Sequence, residues 1–177
     1  TCEEVITTEK GERTFLATKG PLRNAEGEVM GIYGISRDIT ERKRIERQLA
    51  DSELHLRAIV QAMPDLVWLK DTRGDYLCCN PRFAQFFGAP EASIVGKTDF
   101  DFVDTALADS FRRNDQVAMD KAGPSTHEEW VTFASDGHRE LLETTRTPVL
   151  GSNGQVIGVL GVGHDITEHK RLHDHLK

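Results

Sequence analysis

The chain has 177 residues, a formal net charge of −7 and 38% hydrophobic residues. This is enough for one packed domain and a substantial extra piece. The acidic balance, with basic residues clustered only in helical connectors, argues against a nucleic-acid-binding surface, and no apolar run is long enough to span a bilayer.

Thr1 does not begin a signal peptide, so no membrane contact by this segment is expected. Cys2, Cys78 and Cys79 have neither metal-ligand spacing nor a disulfide framework. That points to a reducing compartment and a cytoplasmic location, with a membrane-attached full-length protein still compatible.

Residues 1–37 carry three β-rich runs, at 4–8, 14–21 and 29–36. Turns are predicted at Lys10-Gly11 and at Asn24-Ala25-Glu26-Gly27. A three-stranded meander with one apolar face is marginal by itself. Residues 1–37 therefore read as the end of a domain that starts upstream.

Residues 39–63 read as one helix, ended by Pro64. Ile45, Leu49, Ser52, Leu56, Ile59 and Met63 form a heptad seam that is weakest at Ser52. Glu41, Arg42, Lys43, Arg44, Glu46 and Arg47 form a solvated face. The seam predicts a parallel two-chain coiled coil and so a homodimer. The alternative is an amphipathic helix lying on its own domain.

Runs at 65–71 and 76–79 make a hairpin around Thr72-Arg73-Gly74-Asp75, with Cys78 and Cys79 on opposite faces. Asn80-Pro81 opens a short helix carrying Phe83, Phe86 and Phe87 and stopped by Gly88. Short helical turns are predicted near 91–95 and 101–104, then a longer helix over 105–122 with Leu107, Phe111, Val117 and Ala118 as its stripe. Strands follow at 127–134, 140–149 and 156–164, turning at Asp136-Gly137 and Asn153-Gly154. Residues 168–177 restart a helix, where Leu172 and Leu176 repeat the positions of Ile45 and Leu49. Strands at both ends with helices between them give an α+β fold, an antiparallel sheet with helices on one face.

The ending occurs twice. GVLGVGHDITEHKR, 158–171, matches GIYGISRDITERKR, 31–44, and the register holds back to Thr18/Thr145. After one small slip TCEEVIT matches THEEWVT. In each copy a core strand runs straight into a helix. Asp165 with Glu168, and Asp38 with Glu41, have capping-box spacing; Thr167 and Thr40 are the alternative caps.

LVWLKDTRGDYLCCNPRFAQFFG, IVGKTDFDF, EEWVTFASDGHRELLETTRTPV and GVLGVGHDITEHK, in this order, resemble the PAS family of sensory domains. The resemblance implies an upstream PAS remnant at 1–40, a linker helix at 41–63, a complete PAS domain at 64–167 and the start of an output helix at 168–177. It implies a five-stranded antiparallel sheet around a small pocket. It also implies Asp38-Ile39-Thr40 and Asp165-Ile166-Thr167 as signalling junctions. Such domains sit in signalling proteins of the histidine kinase or cyclic-dinucleotide enzyme type, linked to an upstream PAS domain and a downstream effector.

No nucleophile has a recognisable catalytic setting and there is no phosphate loop, so the segment is not expected to be an enzyme. His169 and His173 lie one helical turn apart near His164 and His175, but the first copy has Arg42 and Glu46 there, and no metal site is assigned. The resemblance disfavours haem, since helix 105–122 has no histidine. It also disfavours photochemical flavin, since the short helices around 99–104 lack a cysteine and Gly163 stands where a glutamine is needed.

Strand alternation groups Leu66 with Trp68 and Lys70, Trp130 with Thr132, and Leu142 with Thr144 and Arg146. By resemblance these groups face the pocket with Val159, Gly161 and Gly163, joined by Phe83, Phe87 and Phe111 from the helices. A ligand pocket and a filled aromatic core both fit. Lys70 and Arg146 predict either snorkelling or pairing with a nearby acid, or else an anionic ligand. The expected function is a sensory, dimerising relay responding to a small organic ligand or to the upstream domain. The alternative is a ligand-free interaction and spacer module.

Overall fold

The computed structural model describes residues 1–9 and 11–175, so the predicted turn at Lys10 and the helix position of Leu176 lie outside the described residues. Two compact units divide the chain, Thr1–Arg57 and Ala58–Lys177.

The first unit holds β1 (Cys2–Thr8), β2 (Gly11–Arg23) and β3 (Val29–Asp38) in one antiparallel sheet, ordered β1-β2-β3. Asn24 builds the β2–β3 turn by accepting the Glu28 amide at 2.8 Å on its side chain and the Gly27 amide at 3.0 Å on its carbonyl. Val5, Ile32 and Ile35 are exposed. Helix α1 (Thr40–Ala62) follows and contains no buried residue. Its predicted seam, Ile45, Leu49, Leu56 and Ile59, is open to solvent.

The second unit is one five-stranded antiparallel sheet with helices between its second and third strands. Its elements are β4 (Leu66–Asp71), β5 (Tyr76–Cys79), α2 (Pro81–Phe87), α3 (Glu91–Ile94), α4 (Thr105–Lys121), β6 (Ser125–Thr132), β7 (Arg139–Leu150), β8 (Val156–Asp165) and α5 (Thr167–His175). The order is β5-β4-β8-β7-β6, so the last strand lies between the first hairpin and the second. Asn80 starts α2 by accepting the Phe83 amide at 3.0 Å, as Pro81 at the first helical position favours. A short 3-10 turn spans Asp99–Asp101, earlier than the turn predicted at 101–104, because Thr98 and Asp101 cap it reciprocally.

The core lies between the sheet and the helices. Leu66, Trp68, Tyr76, Phe83, Phe86, Phe87, Ile94, Phe111, Phe133 and Leu142 form one buried cluster. Burying each large side chain stabilises by roughly 1.5–3 kcal/mol. The rings meet mostly edge-on or tilted, as at Phe83–Phe87 with centroids 4.7 Å apart.

Candidate functional site

Side chains of the second sheet's inner face converge on α4. Trp68 and Lys70 come from β4, Leu142, Thr144 and Arg146 from β7, and all five are buried. Phe83 and Phe87 come from α2, Phe111 from α4, and the buried Gly163 of β8 backs onto Leu142 and Leu66. Trp68, Lys70, Phe83, Phe111 and Arg146 line a common cavity of only about 10 Å³. The indole of Trp68 takes the space over Gly161, where a Cβ would fall 2.1 Å from the ring.

Trp130 and Thr132 are not part of this group. Trp130 is half exposed, with the Arg139 guanidinium 5.1 Å from its ring, and Thr132 is exposed beside it. β6 instead turns Val131 and Glu129 inward, because its register sets Glu129 opposite Leu142. Alternation paired Trp130 with Thr132 correctly but did not reveal which face was wet.

Lys70 and Arg146 do not snorkel. Each is 1% exposed. Lys70 Nζ donates to Asp99 Oδ2 at 2.6 Å and to Asp115 Oδ2 at 2.9 Å. Arg146 Nε donates to Asp115 Oδ1 at 3.0 Å, and its Nη2 to Glu129 Oε1 at 3.2 Å. The Tyr76 hydroxyl donates to Asp99 Oδ1 at 2.6 Å. Burial, then the neighbouring Asp99 carboxylate, push the Tyr76 pKa well up, so it remains a donor. The acids are remote in sequence rather than local. Asp99, on the 3-10 turn, and Asp115, on α4, cross-link the helices to β4 and β7. With Glu129 included, three carboxylates face two cations, so the site has no surplus positive charge to attract an anion. The anionic-ligand expectation for Lys70 and Arg146 therefore loses its basis.

Asp99, Asp115, Glu129, Tyr76 and Phe86 are the members that the sequence reading missed. The acids come from elements with no fixed mutual spacing, so periodicity carries no signal for them. Among the described residues, Trp68 Nε1, His127 Nδ1, Thr144 Oγ1 and Arg146 Nη1 are inner-face polar atoms buried without a hydrogen-bond partner. A polar atom brought beside any of them would relieve an unfavourable burial.

The junctions have a geometry different from a capping box. Asp165 Oδ1 accepts from both the Thr167 amide, at 2.9 Å, and the Thr167 hydroxyl, at 2.5 Å. Thr167 Oγ1 accepts the Leu141 amide at 2.8 Å, while the Ile166 amide donates to the Leu141 carbonyl at 2.9 Å. The first helical bond runs from Lys170 N–H to the Ile166 carbonyl, so neither Asp165 nor Thr167 is the cap residue. The earlier copy repeats this. Asp38 accepts from the Thr40 amide and hydroxyl, and Thr40 Oγ1 accepts the Thr14 amide at 2.9 Å. The Ile39 amide donates to the Thr14 carbonyl at 2.8 Å. The Thr40 hydroxyl, then its amide, hold the Asp38 carboxyl below the usual range.

His164, His169 and His173 line a cleft of about 480 Å³ with Glu128, Glu143, Asp165, Ile166 and Lys170. Among the described residues no group of three His, Cys, Asp or Glu side chains could hold a metal ion. His164 Nδ1 instead pairs with Asp65 Oδ1 at 2.8 Å, which raises the histidine pKa.

An antiparallel sheet with helices on one face and a strand that exits directly into a clamped helix defines an α+β domain. The PAS fold family is matched over residues 1–44 and 60–171, and the chain belongs to it. A diguanylate cyclase of Vibrio cholerae is 32% identical over 139 residues, 77% of this chain and 43% of that protein. The methanogenesis regulatory histidine kinase FilI of Methanothrix harundinacea is 27% identical over 168 residues, 95% of this chain and 18% of that protein. The PAS domain of Bordetella pertussis BvgS superposes with a TM-score of 0.54 at 25% identity, over 74% of this chain and 97% of that domain. The chain spans less than half the length of these two curated relatives. No helix among the described residues is long and apolar enough to cross a membrane.

Proposed function

We propose that this chain is a signal-transducing PAS segment of a larger signalling protein, of the histidine kinase or cyclic-dinucleotide enzyme type. It relays input to the helix that follows Asp165-Ile166-Thr167. One observation carries the reading. Leu141 holds both the amide of Ile166 and the hydroxyl of Thr167, and the same strand sends Leu142, Thr144 and Arg146 into the core. A shift of β7 in the interior therefore reaches the first turn of α5 through two hydrogen bonds. The segment itself is non-catalytic.

The input is a small ligand that engages the inner face or a movement of the upstream domain. A ligand-free relay is favoured by the cavity of about 10 Å³ and by cations already paired inside. Homodimerisation through α1 is supported by the exposed heptad stripe.

The test measures effector output of the full-length protein, with and without stimulus, in wild type, Asp165→Ala and Thr167→Val. Folded variants that no longer switch support the relay. Normal switching in both removes the junction from the mechanism.

A further inference from the structure

The first unit repeats more of the second than its sequence motif. β3 and β8 have matching limits, and each ends in the same clamp, to Thr14 in one and Leu141 in the other. The inner-face ion pair is also repeated. Arg146 Nη2 meets Glu129 Oε1 at 3.2 Å, and its counterpart Lys19 Nζ meets Glu4 Oε1 at 3.2 Å. The registers agree, since Glu129 faces Leu142 as Glu4 faces Phe15, and Arg146 faces Gly161 as Lys19 faces Gly34.

What differs is the cover. In the second unit β4 pairs along β8, and two glycines make that approach feasible. A Cβ on Gly158 would lie 2.2 Å from the Lys70 carbonyl oxygen, and one on Gly161 would lie inside the Trp68 indole. Their counterparts in β3 are Gly31 and Gly34. A Cβ on Gly31 would meet nothing within 4 Å, and one on Gly34 only the Lys19 side chain at 3.7 Å. Nothing among the described residues of the first unit requires either glycine, although glycine weakens a strand. Among the described residues Lys19 pairs with one carboxylate, Glu4, while its side chain is 64% exposed; Arg146 is buried and has Asp115 of α4 as well.

We propose that the free edge and inner face of β3 are a docking site for a preceding segment of the same polypeptide. The occupant is an antiparallel β-strand whose backbone crosses Gly31 and whose large aromatic side chain lies over Gly34. With it comes a helix carrying a carboxylate for Lys19. This rests on reading residues 1–40 as the end of an upstream PAS domain, and it adds the chemistry of the partner. The occupant also buries Ile32, now 80% exposed, and satisfies the outward amides of β3.

The experiment compares the protein carrying its natural residues ahead of Thr1 with the chain that begins there. Two signals are read by mass spectrometry: hydrogen exchange of β3 amides, and acetylation of Lys19 relative to Lys43. The expected result is protection of both the amides and Lys19 only in the longer protein. Gly31→Ala and Gly34→Val should abolish that protection, yet leave β1–β3 exchange in the shorter chain unchanged. If the amides are protected but Lys19 stays reactive and the glycine variants are harmless, the proposed chemistry is wrong while the upstream-domain reading stands. No protection of either signal overturns both. Protection in the shorter chain that grows with concentration makes a second copy the occupant and also overturns the proposal.

Discussion

Asp115→Ala tests the idea that the buried charges hold the sheet to α4. Asp115 is 1% exposed and accepts from Lys70 at 2.9 Å and from Arg146 at 3.0 Å. Its loss leaves two buried cations with one remaining partner each, Asp99 and Glu129. Breaking a buried pair from one side costs about 3–5 kcal/mol, because the surviving charge stays desolvated. With a urea slope of about 2 kcal/mol per molar, a loss of about 4 kcal/mol lowers the midpoint by about 2 M. The buried Trp68 reports this transition by fluorescence. The double variant Asp115→Leu/Arg146→Met should recover much of the loss. It removes both members of one pair, keeps Lys70 with Asp99, and leaves only the partly solvated Glu129 without its cation. A midpoint shift below about 0.5 M for Asp115→Ala, equivalent to about 1 kcal/mol, would mean that the charges are solvated and that the network does not lock the core.

Three further outcomes follow from the same geometry. Gly161→Ala should cost about 1–3 kcal/mol or more, since the new methyl would overlap the Trp68 ring; an unchanged melting temperature and near-UV circular dichroism would refute that close approach. Leu56→Asp or Ile59→Asp should weaken self-association by placing a charge in the seam, and light scattering that finds the parent chain monomeric at high concentration would end the dimer reading. Pairing with Asp65 raises the His164 pKa above its usual value, so the contact stabilises the fold below the unfolded histidine pKa and is lost as pH rises through the folded one. Asp65→Asn should flatten that pH dependence, and an NMR titration showing the same His164 pKa in both proteins would contradict it.

The tandem ending, the strand order along the chain and the strand-to-helix junctions were legible in the amino-acid sequence. Each is set by neighbours within a few residues, through alternation, turn chemistry and a motif written twice. Val156–Asp165 lies where the β-branched run placed a strand, and Thr40–Ala62 where the heptads placed a helix. The junction's partner was not legible, because Leu141 is brought to Thr167 only by the pairing of β7 with β8. The inward face of β6 was likewise decided late. Alternation is symmetric between Trp130-Thr132 and Glu129-Val131, and only the register with β7 breaks the tie. Lys70 and Arg146 stood out as cations in apolar strands, but their partners Asp99 and Asp115 belong to a turn and a helix that reach them only after the sheet and α4 pack together. Local physics sets period and punctuation, whereas the pairing of buried charges depends on distances that exist only once the chain has closed on itself.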